Sequence, residues 1–330
     1  MRIPNWVGDV VMATPALAAL RGAHPDAEVV AEGRPYLEGL VLGLPSLDAF
    51  LPDVRGTRAR TRRLRAERFD WAVLLPDSVR SALAPFLARV PVRAGYARDP
   101  LRRALLTHAL APPREAGRRA PISMVERYLR ITRALGCVDA SPRTTLVVDA
   151  AAREAVAKRL AEAGLAPQQR TLVVTPGASF GSSKLWPPGH FASACDGIAR
   201  RHGLAVVLAP GPGEEALSQE VSRIMQERAV VLAAPPTTLA ELVALIAGAA
   251  LQLGNDTGPR HIAVALGVPA VVLIGPTDPR HTAHQLERQR VLREAVACSP
   301  CGLKACPIDQ RCMTRIAPER VAAAAAELLA

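Results

Sequence analysis

Apolar runs of strand length alternate with longer amphipathic stretches along most of this chain, and that alternation leaves it few possible folds. Strand, helix and strand in repetition build parallel sheets with helices on both faces, so the chain is read as α/β. The first series has an apolar fragment at 3–7, a helix near 10–21, a strand near 28–31, a helix near 36–42 and a strand near 70–75. A Pro- and Arg-rich stretch at 112–121, a helix near 123–136 and a turn-like segment at 137–143 separate it from a second series. There the expected strands are 171–175, 204–208, 230–232, 250–253 and 270–274, and an Ala-rich amphipathic helix closes the chain at 318–329. Two open parallel sheets imply two Rossmann-like domains, 1–146 and 147–330, facing a central cleft with ligands at the carboxyl ends of the strands.

With 330 residues, 49% of them hydrophobic, the chain has ample material for two cores. No apolar stretch approaches the roughly 20 residues that span a bilayer. The N-terminus lacks the order of a signal peptide, so a cytoplasmic protein is expected. The net charge of +11 is carried almost wholly by arginine, the only lysines being Lys158, Lys184 and Lys304, and it favours anionic partners. Arg55, Arg58, Arg60, Arg62, Arg63, Arg65 and Arg68 crowd one segment with only Glu67 against them. They serve either as a solvated helix face or as a site for phosphates on an acceptor or a membrane surface. Aromatics make up 3% of the chain and do not interleave with these arginines, so no nucleic-acid partner is expected.

Three segments have the makings of chemistry. In Gly254-Asn255-Asp256-Thr257-Gly258-Pro259-Arg260-His261, a polar cluster lies between an apolar strand at 249–253 and a helix at 262–266. Free backbone N–H groups and the helix dipole favour a phosphate there, with His261 facing the same ligand, although Asp-Thr-Gly-Pro also serves as a plain helix cap. The second segment, 176–187, follows a strand with small residues, hydroxyls and the conspicuous Lys184, a composition suited to cradling phosphates, but without the spacing of a Walker loop. Together the two suggest a diphosphate held from both sides. The third is Pro4-Asn5-Trp6-Val7-Gly8-Asp9, where the Asp9 carboxylate either caps its helix or acts as a general base for a hydroxyl acceptor. No DxD-type metal motif accompanies it.

The segments PNWVGDVVMATPALAALR, PGASFGSSKLWP and NDTGPRHIAVALGVPAVVLIGPTDP, followed by a Cys-rich tail, resemble the ADP-heptose-dependent lipopolysaccharide heptosyltransferases of glycosyltransferase family 9, most closely the heptosyltransferase II type. The resemblance spans nearly the whole chain. It implies a GT-B fold with an N-terminal acceptor-binding domain and a C-terminal domain for ADP-heptose. It further implies inverting transfer of heptose to the heptosyl-Kdo-lipid A inner core of lipopolysaccharide, without metal or other cofactor, by an enzyme peripheral to the inner face of the inner membrane. On the matching motifs, Asp9 is the implied base and Lys184 the implied contact to the donor phosphates. Asp256, Thr257, Gly258 and His261 form the donor-binding helix start, with Ser182 and Ser183 beside Lys184. Glu214, or Glu215 next to it, is expected on the ribose, and Arg58, Arg62 and Arg119 on anionic groups of the acceptor. Heptosyltransferases I and III are the nearest rivals, because donor motifs are shared and acceptor choice lies in loops such as 96–121. A basic nucleic-acid module would leave Asp9, Lys184 and 254–261 unexplained, and an epimerase of the same fold would need no lipid acceptor.

Two departures from the family pattern stand out. Relatives begin with several apolar residues before the PNWVGD segment, where this chain has Met1-Arg2-Ile3. The resemblance therefore implies a first strand cut short, at a cost of several kcal/mol at about 25 cal/mol per Å² of apolar burial, and a start lying upstream. Cys298, Cys301, Cys306 and Cys312 are compressed into one irregular run rather than two separated knuckles, so reduced structural thiols are expected and no metal.

Overall fold

The computed structural model describes residues 1–115, 117–138 and 141–330, with Arg118 and Arg119 described in backbone only. The chain divides into two compact units, Met1–Val147 with Arg280–His284, and Val148–Pro279 with Gln285–Ala330.

In the first unit, strands β1 (Val30–Gly33) and β2 (Ala49–Pro52) pair in parallel, as do β3 (Trp71–Leu74), β4 (Val92–Tyr96) and β5 (His108–Leu110). The two sets are joined by the first residues of the chain. Arg2 N–H donates to Val73 O at 2.8 Å and Ile3 N–H to Glu32 O at 3.0 Å, so a short stub lies between β1 and β3 as a central strand would. A cavity of about 520 Å³ is bounded by Met1, Leu20, Val30, Leu64, Trp71 and Val90. The α-amino group of Met1 is buried beside it, and loss of hydration pushes its pKa down to about 6.

Helices cover both faces of this sheet. The segment 10–21, expected as one helix, is two: α1 (Val7–Met12) and α2 (Thr14–Ala23). The break has a local cause, because Pro15 has no N–H to offer Val11 O, and the Thr14 hydroxyl donates to that carbonyl instead at 2.9 Å. On the same face, α7 (Met124–Arg133) packs with them through Val125, Tyr128, Leu129 and Ile131. Between β1 and β2 lies the short α3 (Glu38–Val41). On the opposite face, α4 (Thr57–Glu67) contributes Leu64 and α5 (Val79–Leu87) contributes Ala84, followed by α6 (Pro100–Leu105). The Pro- and Arg-rich stretch holds a two-stranded antiparallel ribbon, β6 (Arg114–Glu115) with β7 (Arg118–Arg119).

The second unit opens with α8 (Ala150–Glu162) and is built on one six-stranded parallel sheet. Its strands are β8 (Thr171–Thr175), β9 (Ala205–Leu208), β10 (Ala229–Val231), β11 (Leu251–Asn255), β12 (Ala270–Leu273) and β13 (Gln289–Leu292), in the order β10-β9-β8-β11-β12-β13. Every residue of β8 and β11 is buried, as befits central parallel strands covered on both faces. Between the strands run α9 (Pro188–His202), α10 (Glu215–Ile224), α11 (Leu239–Ala247) and α12 (Gly258–Ala265); α13 (Arg311–Thr314) and α14 (Pro318–Leu329) end the chain. Trp186 is wholly buried, edge-on to Phe191 at 4.9 Å, and its indole N–H donates to Ile316 O at 3.0 Å. From β8 the chain winds outward to β10, then returns to the other side of β8 at β11. The strand order thus reverses between β8 and β11, which opens a crevice at their carboxyl ends.

Candidate functional site

At that crevice the two central strands are clamped by polar side chains. Gln252 donates to Thr175 Oγ1 at 3.0 Å, and Asn255 Nδ2 to Pro176 O at 2.7 Å. Gly254 has no alternative here, since a Cβ would lie 2.5 Å from Thr175 Oγ1. Asp256 follows at the strand end, 5% exposed, and α12 begins two residues later with Pro259 in its first turn.

Asp256 is the hub. Lys184 Nζ donates to its backbone carbonyl at 2.6 Å and approaches Oδ2 at 3.2 Å; Arg260 Nη1 donates to Oδ1 at 2.6 Å and the Thr277 hydroxyl to Oδ2 at 3.0 Å. Burial by itself would raise the Asp256 pKa, but the charges of Lys184 and Arg260, with His261 beside them, outweigh it and hold the carboxyl well below the usual range. His261 is buried in the first turn of α12, and Thr257 and Gly258 form the helix start as its cap and first residue. The expected residues Lys184, Asp256, Thr257, Gly258 and His261 therefore come together around one helix amino end.

Ser183 turns elsewhere. The Ser183 hydroxyl donates to Leu303 O at 2.6 Å and its N–H to Lys304 O at 3.0 Å, while Gln310 Nε2 donates to the carbonyls of Ser182 and Leu185, both at 2.7 Å. Gly181 makes this docking possible: its φ is 152°, and a Cβ would lie 2.3 Å from Lys304 O. The loop carrying Lys184 is thus braced by the segment 303–310.

Glu214 completes this side of the crevice. Its carboxylate accepts from Gly211 N–H at 3.0 Å and from Ala178 N–H, and it lies over Gly177, where a Cβ would fall 1.8 Å from Oε2. Burial raises its pKa against the pull of those N–H groups. Glu215 instead accepts from Gly213 N–H in its own turn, so it is Glu214 that reaches the β8 loop.

The first unit presents two further groupings. Asp9 lies in the first turn of α1 and accepts the buried hydroxyl of Tyr128 from α7; burial, then the Asp9 charge, push the tyrosine pKa well up. Close by, Asp77 is ion-paired with Arg127, which stacks on the Tyr96 ring at 4.1 Å. The second grouping is a basic recess of about 170 Å³ where α4 and α5 begin, lined by Arg34, Arg55 and Arg80 together with Asn5, Asp53 and Thr57. Arg58 and Arg62 are exposed on α4 outside that lining. Arg119 lies on β7, and its side chain is outside the described residues. Other arginines of α4 serve the fold. Arg60 forms a buried two-pronged pair with Glu32 at 2.5 Å, and Arg63 and Arg65 donate to the carbonyls of Pro52 and Leu87.

The sequence model of glycosyltransferase family 9 (heptosyltransferase) matches residues 57–311. The chain belongs to this family. Family 9 relatives include lipopolysaccharide heptosyltransferase 2 of Salmonella typhimurium, 29% identical over 88% of this chain and 86% of its own length. Lipopolysaccharide heptosyltransferase 3 of Escherichia coli is 28% identical over 82% and 81%. Among solved structures, the ADP-heptose LPS heptosyltransferase II of E. coli matches with a TM-score of 0.82 at 26% identity, covering 99% of this chain and 97% of that one. A family 9 glycosyl transferase of Veillonella parvula matches in fold with 0.84 at 23% identity, covering 99% and 95%. This family 9 protein is thus an enzyme, a glycosyltransferase of GT-B fold.

Motif reading gives no role to Tyr128, Thr277 or Gln310, and quotes Arg260 only as part of the 254–261 cluster. All six cysteines are free thiols, and burial together with Cys298, Cys301 and Cys306 nearby raises the Cys312 pKa. Among the described residues no group of three His, Cys, Asp or Glu side chains is arranged to hold a metal ion. Nor, among them, is any helix long and apolar enough to cross a membrane.

Proposed function

We propose that this glycosyltransferase transfers heptose, with inversion, from ADP-heptose to a heptosyl-Kdo-lipid A inner core of lipopolysaccharide. The observation that carries the reading is the union of Lys184 with the amino end of α12 at the strand-order reversal of the second unit. A diphosphate seated there meets free backbone N–H groups, a helix dipole and a compact ammonium, which oppose the negative charge growing on departing ADP. Asp9 takes the proton of the acceptor hydroxyl, its carboxylate held in place by Tyr128. With one base and no enzymic nucleophile in this scheme, the displacement is single and the configuration inverts. Arg34, Arg55 and Arg80 in the basic recess, more than Arg58 and Arg62, suit a carboxylate or phosphate of the acceptor. The names of the relatives agree with this chemistry, and the near-equal identities to heptosyltransferases 2 and 3 make acceptor type the point to test.

ADP release from ADP-heptose, followed with Kdo-lipid A and with heptosyl-Kdo-lipid A in matched reactions, tests it. Release is expected only with the heptosylated acceptor, and Asp9→Asn should slow it by at least two orders of magnitude, the scale of general base catalysis. Release with a different core acceptor would reassign the type. No release with either acceptor, from folded protein, would overturn the reading.

A further inference from the structure

Arg260 stands where local rules disfavour it. It is in the first turn of α12, at the positive end of the helix dipole, and it is 1% exposed, so a cation bears both an unfavourable dipole and the loss of its hydration. Burial accordingly lowers its pKa against the pull of Asp256. A buried charge held against such costs beside a ligand site calls for a reason.

The geometry supplies one. Arg260 Nη1 occupies Asp256 Oδ1 at 2.6 Å, and its Nε is fixed by Gln289 Oε1 at 3.1 Å. Oδ2 is left to Thr277 at 3.0 Å and to Lys184 at 3.2 Å, while the shorter contact of Lys184, 2.6 Å, is to the backbone carbonyl of Asp256. Two positive side chains against one negative leave the cluster a unit of positive charge, whereas without Arg260 the Lys184–Asp256 pair would be neutral. We infer that Arg260 is a positioning residue for the donor: by sharing the Asp256 carboxylate it weakens that group's hold on the Lys184 ammonium, so that a nucleoside diphosphate can compete for it, and it gives the pocket its net positive charge. This rests on the reading of the cluster as a diphosphate site.

Calorimetric titration with ADP tests the inference on the full chain, using wild type, Arg260→Met, and Asp256→Asn combined with Arg260→Met. The single variant should bind ADP at least tenfold more weakly, because Lys184 is then held by an otherwise unpaired carboxylate. The double variant should bind ADP more tightly than the single variant, since it strands no buried charge and gives Lys184 no carboxylate to pair with. In the single variant, affinity relative to wild type should also rise as pH falls into the carboxyl range and Asp256 takes up a proton. A residue that merely held the fold would show neither the recovery nor the pH response. Wild-type affinity in Arg260→Met, or a double variant that binds no better than the single, would overturn the inference. Should Arg260→Met fail to fold, Arg260→Gln takes its place in both variants, with the same outcomes supporting or overturning the inference. Absence of ADP binding by the wild type would instead remove the diphosphate reading, and the inference with it.

Discussion

Glu214 shows how a single side chain ties the site to the state of the solvent. Its carboxyl pKa is raised by burial, so the folded state binds the proton more readily than the unfolded chain does. That contribution to stability is complete below the ordinary glutamate pKa, about 4.3, and is lost as pH climbs through the raised value. Glu214→Gln keeps the shape and the acceptor oxygen without the titration. Relative to that variant, the wild type should therefore lose urea stability as pH rises above the glutamate range, and equal slopes for the two proteins would refute the assignment. Residues such as Lys184 and Asp256 were legible in the sequence because each is odd in its setting, a rare lysine in a Gly/Ser loop and an acid at a strand-to-helix junction. Tyr128 was not, because an aromatic on the apolar face of α7 looks like any core residue until Asp9 is placed beside its hydroxyl. Arg260 stood inside the 254–261 cluster without a role, because nothing local shows that its guanidinium turns onto Asp256.

Among the elements, α4 separates what patterning shows from what packing decides. Its arginines form a single basic stripe in sequence, yet Arg60 is spent on Glu32 inside the fold while Arg58 and Arg62 face water. Arg60→Ala should leave the buried Glu32 carboxylate only the longer 3.9 Å pair with Arg2 and cost up to about 3–5 kcal/mol, whereas Arg58→Ala should stay within about 0.5 kcal/mol; chemical denaturation of the two variants measures the difference. Strands β8 and β11 were read correctly because continuous apolar runs have one natural place, the centre of a covered parallel sheet. Strands β2, β4 and β13 escaped reading because Pro52, the Arg93–Gly95 stretch and Gln289-Arg290 dilute their apolar signal, and their ladders come from neighbours that the local sequence does not reveal. The division of 10–21 into α1 and α2 was foreshadowed by Pro15 alone.

Over the whole molecule, the charge of +11 and a sequence pI near 10.2 bear on where the enzyme works. The acceptor proposed above, built on lipid A, would lie in a membrane, and a strongly basic protein would be drawn to its anionic headgroups. Sedimentation with vesicles containing phosphatidylglycerol should carry the protein down at low salt and release it as the Debye length shrinks from about 10 Å at 0.1 M to about 3 Å at 1 M. Binding indifferent to salt, or equal on neutral vesicles, would count against a peripheral location.

The reversal of strand order in the second unit also governs when its site can come into being. The side chain of Asn255 holds Pro176 from 79 positions away, so β11 meets β8 only after the intervening chain has closed into a loop. Contacts of such sequence separation are costly to form and slow in folding. Until that closure, Lys184 and Asp256 belong to unconnected stretches, and a nucleotide has nothing to grip. A ligand of this crevice therefore binds only the closed chain, and its contribution is to stabilise the folded state by mass action.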